Sequence, residues 1–501
     1  MSLEKKITAF RERMDYINTL SNAVALMHWD GATGAPKNGI NYRSKNIGIL
    51  SSEIFQKSVL DTEMKNLVYE LYDQKEELDE VILANVKDYK ESIEKLEKIP
   101  AAEYRAFSEL KVKAEHVWEE ALEKSDFKIF EPYLKELVDY TKKFIDYREY
   151  TGHPYNALLD DYEKGITVDD LDAFFGQLKD TIVPLVKRIQ SEGRKIDASF
   201  ITKKFSIEGQ EEFSNYLLGL IKFDLDSGML KESTHPFTMG IDVKDVRITT
   251  RYYENLLTSS LFSTLHEGGH GIYEQNIDEK YAGTPVCDGT SMGIHESQSR
   301  FYENILGRSL SFWEFTYPKL KEIYPEELKD ISLEDYYLAI NEAKPSLIRV
   351  EADELTYALH VMVRYEIEKG LIDGSIEVKN LPEIWNDKYE EYLGIRPCND
   401  AEGVLQDVHW SDALFGYFPS YALGNAYSCQ FTHEMSKSLD IDALLKEGNF
   451  EPINDWLREN IHQYGKTLTP KEIVKNVTGE ELNAQYLIDY LTDKFNSIYF
   501  S

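Results

Sequence analysis

Apolar residues recur along most of this chain at the three-and-four spacing of one helix face, and charged residues fill the opposite face. That rhythm predicts helices over residues 4–27, 61–98, 101–150, 168–192 and 207–230. Later in the chain it predicts them over 333–344, 346–370, 430–446 and 470–499. A rhythm of two appears only between Phe237 and Tyr253. There Asp245, Arg247 and Thr249 alternate with Val246 and Ile248, so a strand would carry the three polar side chains on one face. Such a strand could pair with an extended peptide or be an ordinary edge hairpin. The expected fold is all-α, mainly helical, with this small β patch. With 15 prolines in 501 residues, no low-complexity run and no repeat, nothing marks a linker, and residues 1–501 read as one domain.

One further helix is distinguished by its lack of charge. Leu256 to Leu265 is uncharged, with Leu261, Phe262 and Leu265 at helical spacing and Ser259 or Ser260 as the expected cap. It leads into His266-Glu267-Gly268-Gly269-His270, an HExxH motif. Histidines four apart share a helix face, about 6 Å apart along the axis, so both reach one ion. The motif reads as a zinc-binding hydrolase site, with Glu267 placed to take a proton from a water molecule that the ion acidifies. Gly268 and Gly269 weaken the helix by about 1 kcal/mol each relative to Ala. Either the helix merely tolerates them, or they make room for another backbone or a substrate.

A catalytic zinc takes a third protein ligand and leaves a fourth position open. Glu296, in Gly293-Ile-His-Glu-Ser-Gln298, is the preferred candidate. The segment before it, Asp278 to Met292, carries the loop residues Gly283, Pro285 and Gly289, which would let a second helix return across the first. Glu274, four residues after His270, is the alternative ligand, or a group that orients a ligand histidine from behind. Cobalt or manganese would also suit such a site, at one ion per chain.

Charge narrows the partners. With 56 basic and 89 acidic residues the net charge is −33, which disfavours nucleic acid. Cys287, Cys398 and Cys429 form neither a disulfide framework nor a metal spacing, which fits a reducing compartment. The N-terminus lacks the apolar core of a signal peptide. The uncharged run Ala413 to His433 contains Gly416, Pro419, Gly424 and several hydroxyl side chains, so it reads as a buried, polar-lined wall and not a membrane span. The expectation is a cytoplasmic protein without membrane contact.

Two more groups carry chemistry. Arg349 and Asp353 stand four apart on a predicted helix, where a plain ion pair competes with an arginine fork offered to a carboxylate. His409, Tyr417 and Tyr421 are donors in an otherwise apolar stretch. They are candidates to stabilise an oxyanion, or buried aromatics satisfied by backbone groups.

Taken together, these segments resemble the carboxypeptidase Taq family of metallocarboxypeptidases. The likeness runs in order through His235-Pro-Phe237, Asp245 to Thr249, His266 to His270, His295 to Gln298, Ile348 to Asp353 and Gly403 to Trp410. Weaker likeness covers Trp29 to Pro36 and Tyr155 to Glu163, with Ala35 where the family often has methionine. The resemblance implies a neurolysin-like helical body with a deep groove and a broad-specificity zinc carboxypeptidase acting on short peptides, usually as a homodimer. It implies His266, His270 and Glu296 as ligands and Glu267 as base, with Arg349 and other residues of the matched segments on the substrate, Arg247 and His235 next after Arg349. Tyr421 or His409 is expected, from the residues themselves, to steady the oxyanion. An oligopeptidase that cuts internal bonds is the nearest alternative reading. An inactive, metal-stabilised interaction protein is the more distant one.

Overall fold

The computed structural model describes residues 1–500, and the all-α expectation holds: helices dominate and one three-stranded sheet interrupts them. Several predicted helices are shorter than their periodicity, because capping residues cut them. The stretch 61–98 divides into Thr62–Tyr72 and Glu80–Leu96, with Asp61 and Asp79 accepting bonds from the first-turn amides. The stretch 101–150 breaks at Ser125, which is left-handed at φ 50°, before Asp126 caps Phe127–Asp146. The predicted helix 470–499 stops at Thr478 beside a left-handed Gly479 and resumes at Gln485. The predicted 430–446 is instead Pro419–Met435 followed by Ile441–Glu447. Only Val168–Glu192 keeps both expected ends, its start fixed by a Thr167/Asp170 capping box and its end followed by an extended Gly193.

Two misreadings matter for the site. The helix expected over 207–230 ends at Leu220, and Gly228–Glu232 is a strand, β1. Asp224 turns the chain between them, accepting from the Asp226 amide and the Ser227 hydroxyl. The helix expected over 346–370 begins only at Tyr357. Asp353 collects the Leu355 and Thr356 amides and the Thr356 hydroxyl, so it shapes a turn ahead of that helix.

In the sheet, β2 (Thr238–Asp242) pairs antiparallel and β1 parallel with β3 (Asp245–Thr250), in the order β1-β3-β2. The extended patch is therefore real, but β3 is its centre and has no free edge for a peptide; β2 does. Val246 and Ile248 are buried as expected, yet Thr249 is buried too. Its hydroxyl accepts from the Phe237 amide and pairs with Ser233, which fixes the turn before β2.

The large core runs through the sheet and the helices from Leu110 onward. A separate small core, including Phe10, Met14, Met64, Val68, Val86 and Tyr89, holds the N-terminal helices together. Across the seam between them Glu80 meets Tyr281 and Lys280, and Lys95 meets Asp160 and Asp161. A cavity of about 750 Å³ lies along that seam and is lined in part by Asp88, Asp288, His295 and Lys466.

Candidate metal centre

The HExxH motif lies on the helix Leu257–Gln275, which is buried along much of its length. The expected serine cap is absent: Leu256 occupies the cap position, and Ser260 spends its hydroxyl on Gln210. Gly269 is where two backbones meet, and Gly268 makes room for neighbouring side chains. A Cβ on Gly269 would lie 2.6 Å from the carbonyl oxygen of Gln298, and one on Gly268 2.7 Å from Ile221. The helix weakness at this point therefore admits the neighbouring helix Met292–Arg300, which carries Glu296.

That close crossing brings three side chains to one point. The Nε2 atoms of His266 and His270 each lie 3.5 Å from Oε2 of Glu296. Ligands about 2.1 Å from a tetrahedral ion are separated by about 3.4 Å, so the spacing fits an ion of zinc size. The donor chemistry fits as well, with two imidazoles and one carboxylate. Burial works against ionisation of Glu296, but Arg300 and the two imidazoles hold its carboxyl well below the usual range. Arg300 Nε donates to its other oxygen at 2.7 Å, and Ser299 donates to Oε2 at 3.0 Å. From behind, Gly424 leaves space for Glu296, where a Cβ would overlap its side chain. Gly424 belongs to Pro419–Met435, the uncharged wall foreseen from the sequence.

The two histidines are supported differently. His266 Nδ1 lies 2.8 Å from Glu303, whose carboxylate Arg300 also holds. His270 Nδ1 faces another imidazole, His295 Nδ1, at 2.6 Å, and His295 Nε2 faces Glu274 at 2.6 Å. Glu274 is thus not among the three converging donors; it stands behind a residue that touches one. Glu267 is buried and accepts a 2.7 Å bond from Thr238 of β2. Burial raises its pKa, against the pull of His266 and Thr238.

On the other side of Glu296 the structure corrects the reading of Arg349. Its partner is not Asp353 but Asp407, at 2.9 Å, and Asp407 is shared with the fully buried Arg364 at 2.5 Å. Arg349 Nη1 donates to the Tyr357 hydroxyl, and the Arg300 guanidinium stacks 4.6 Å from the centre of the Tyr357 ring. One aromatic ring therefore connects Arg349 to the arginine on Glu296. Tyr421 lies under Arg349, 4.9 Å from its guanidinium carbon, and meets His409 Nε2 at 3.3 Å. Burial lowers the His409 pKa to about 4, with Asp407 opposing and the two arginines assisting, so the ring is neutral at pH 7. His409 Nδ1 is buried without a protein partner. Arg247 forms a two-bond pair with Asp245 and lies beside Trp29, while His235 is exposed.

Thr238, Arg300, Glu303 and Asp407 escaped the sequence reading. Two were within reach: Glu296, Arg300 and Glu303 follow at i, i+4 and i+7, one helical stripe. Thr238 and Asp407 carried no such signal, since each meets its partner only through the tertiary fold.

The chain matches the family model described as carboxypeptidase Taq (M32) metallopeptidase over residues 9–495. It is 52% identical to carboxypeptidase 1 of Bacillus subtilis over 491 residues, which cover 98% of each chain. It is 38% identical to thermostable carboxypeptidase 1 of Thermus thermophilus, over 99% of this chain and 98% of that one. Among solved structures, the Pyrococcus furiosus carboxypeptidase superposes with a TM-score of 0.94 at 37% identity, covering 98% of this chain and 99% of that one. Among the described residues no helix is long and apolar enough to cross a membrane.

Proposed function

This chain belongs to the carboxypeptidase Taq (M32) family of metallopeptidases, and from that membership we propose that it releases single C-terminal residues from short peptides with broad specificity. The observation that carries the proposal is the convergence of His266, His270 and Glu296 at 3.5 Å spacing beside the buried Glu267. These three residues would hold one zinc ion, or cobalt or manganese in its place. Such an ion, when bound, supplies Lewis acidity that polarises a carbonyl and acidifies a water molecule.

The remaining chemistry belongs to the chain. Glu267, oriented by Thr238, takes the water proton and hands it to the departing amine. His409 offers a neutral imidazole whose Nδ1 has no protein partner, and the Tyr421 hydroxyl lies beside it; either donor suits the oxygen that gains charge during attack.

Recognition of the chain end falls to Arg349. Two guanidiniums share the single carboxylate of Asp407, so this buried group carries one positive charge in excess. An uncompensated buried charge is costly, and the terminal carboxylate of a peptide would neutralise it. Arg247 and His235 are the next substrate contacts to test. By family expectation the protein works in the cytoplasm as a homodimer.

The test is removal and return of the ion. Dialysis against a chelator should abolish release of the C-terminal residue from a blocked dipeptide, and zinc, cobalt or manganese should restore it. Full activity in the metal-free protein would overturn the proposal.

A further inference from the structure

The unequal support of the two histidines has a consequence for their tautomers. A neutral imidazole has one donor nitrogen and one acceptor nitrogen. If His270 gives the Nε2 lone pair to an ion, as the proposed function requires, its Nδ1 carries the proton and needs an acceptor. The group in place is His295 Nδ1, at 2.6 Å. His295 can accept there only while its own proton sits on Nε2, and that nitrogen faces Glu274 Oε1 at 2.6 Å. Were Glu274 lost, His295 could carry its proton on Nδ1 instead. It would then donate to His270 Nδ1, moving the His270 proton to Nε2 and closing the lone pair that the ion needs.

We infer that His295, locked by Glu274, is the positioning residue that determines which nitrogen His270 offers to the metal. The inference rests on the metal-site reading above and extends it by two hydrogen bonds. The surroundings leave little freedom for either residue. Gly289 packs against the His295 ring, where a Cβ would overlap it, and the Tyr273 ring lies 5.0 Å away. Glu274 lies against Gly240 of β2, where a Cβ would come within 2.7 Å of its carboxylate. Asp288, the acid beside Glu274, pairs with Lys466 at 2.6 Å. His266 needs no such arrangement, because Glu303 is itself an acceptor and has no tautomer to choose.

Three variants test this through metal affinity, measured by competition with a chelator, and through the visible absorption of the cobalt form. His295→Phe keeps the ring but has no acceptor. It should weaken the ion by about 10–100-fold and shift the cobalt spectrum, with the melting temperature nearly unchanged. His295→Asn places an amide oxygen near the former Nδ1 and should recover most of that affinity and the wild-type spectrum. Glu274→Met leaves His270 and His295 intact and should weaken the ion in the same direction, so it decides the matter if the Phe variant does not fold. Wild-type affinity in Phe or in Met, or an Asn variant as weak as Phe, overturns the inference. A wild-type protein that holds no ion, or a His266→Ala variant that holds it as firmly, overturns the underlying metal reading instead.

Discussion

The two flanks of Glu296 are built in opposite ways. On one flank, two helices each place their own residues by spacing, His266 with His270 and Glu296 with Arg300, and the helix crossing at Gly269 brings the two sets together. On the other flank, Arg349, Arg364 and the segment Asp407–His409 come from separate parts of the chain and meet only because the fold gathers them. The first flank is a set of donors shaped around a small cation. The second is a buried arginine pair with one carboxylate between them, the chemistry that the proposed carboxylate site calls for. The difference teaches that, under the proposed function, ion binding and chain-end recognition should be separable: damage to one flank should leave the other's property intact.

The largest effect should follow from Glu296→Ala, which leaves two protein ligands and should strip the ion along with activity. Elemental analysis checks this, and Glu274→Ala should lose much less metal. If Glu274→Ala strips the ion and Glu296→Ala keeps it, the assignment of the third ligand is reversed.

Next comes Glu267→Gln, which preserves shape but cannot take the proton. It should keep its ion and lose on the order of 10²–10⁴-fold in turnover. A variant that retains a tenth of wild-type turnover would exclude Glu267 as the base.

The opposite flank should respond in the opposite sense. Arg349→Ala should keep the ion and lower kcat/KM by tens to thousands of fold, on the order of 2–5 kcal/mol for a desolvated charge-assisted pair. Amidating the substrate's C-terminus should cost the wild type a similar factor, and the two losses should not add, since both remove one interaction. A variant that still prefers the free acid as strongly as wild type does would move the carboxylate site towards Arg247 or His235.

The smallest effect concerns stability behind the anion flank. Burial raises the Glu368 carboxyl to about 7, although Gly416, Tyr155 and Trp410 all donate to it. The folded value exceeds the ordinary 4.5, so the fold favours the protonated form. Its contribution is therefore full below about pH 4.5 and is lost as the pH rises through about 7. Over that interval the melting temperature of the wild type should drop by a few degrees relative to that of Glu368→Gln, which removes this titration. An unchanged slope in the variant would remove Glu368 as its source.

The same contrast explains what could be read from the sequence. The proposed ligands could be picked out because His266, His270 and Glu296 lie on two helices, where spacing translates into geometry, whereas Arg300 and Glu303 on the same flank went unread. The pairing of Arg349 was misread because the i, i+4 rule presumes a helix, and Asp353 instead forms the turn that delays that helix until Tyr357. β1 was absorbed into a predicted helix for a related reason: its five residues are half-exposed and do not alternate clearly. Helix interiors followed periodicity, whereas helix ends followed single capping residues such as Asp61, Asp79 and Asp126.

The most direct test of the account is mass spectrometry of one short peptide, as free acid and as C-terminal amide, incubated with the protein with and without a chelator. The account predicts a ladder of single-residue losses from the C-terminus of the free acid, little change in the amide, and no cleavage once the ion is removed. Internal fragments, or an amide cut as readily as the acid, would contradict it and point to an oligopeptidase.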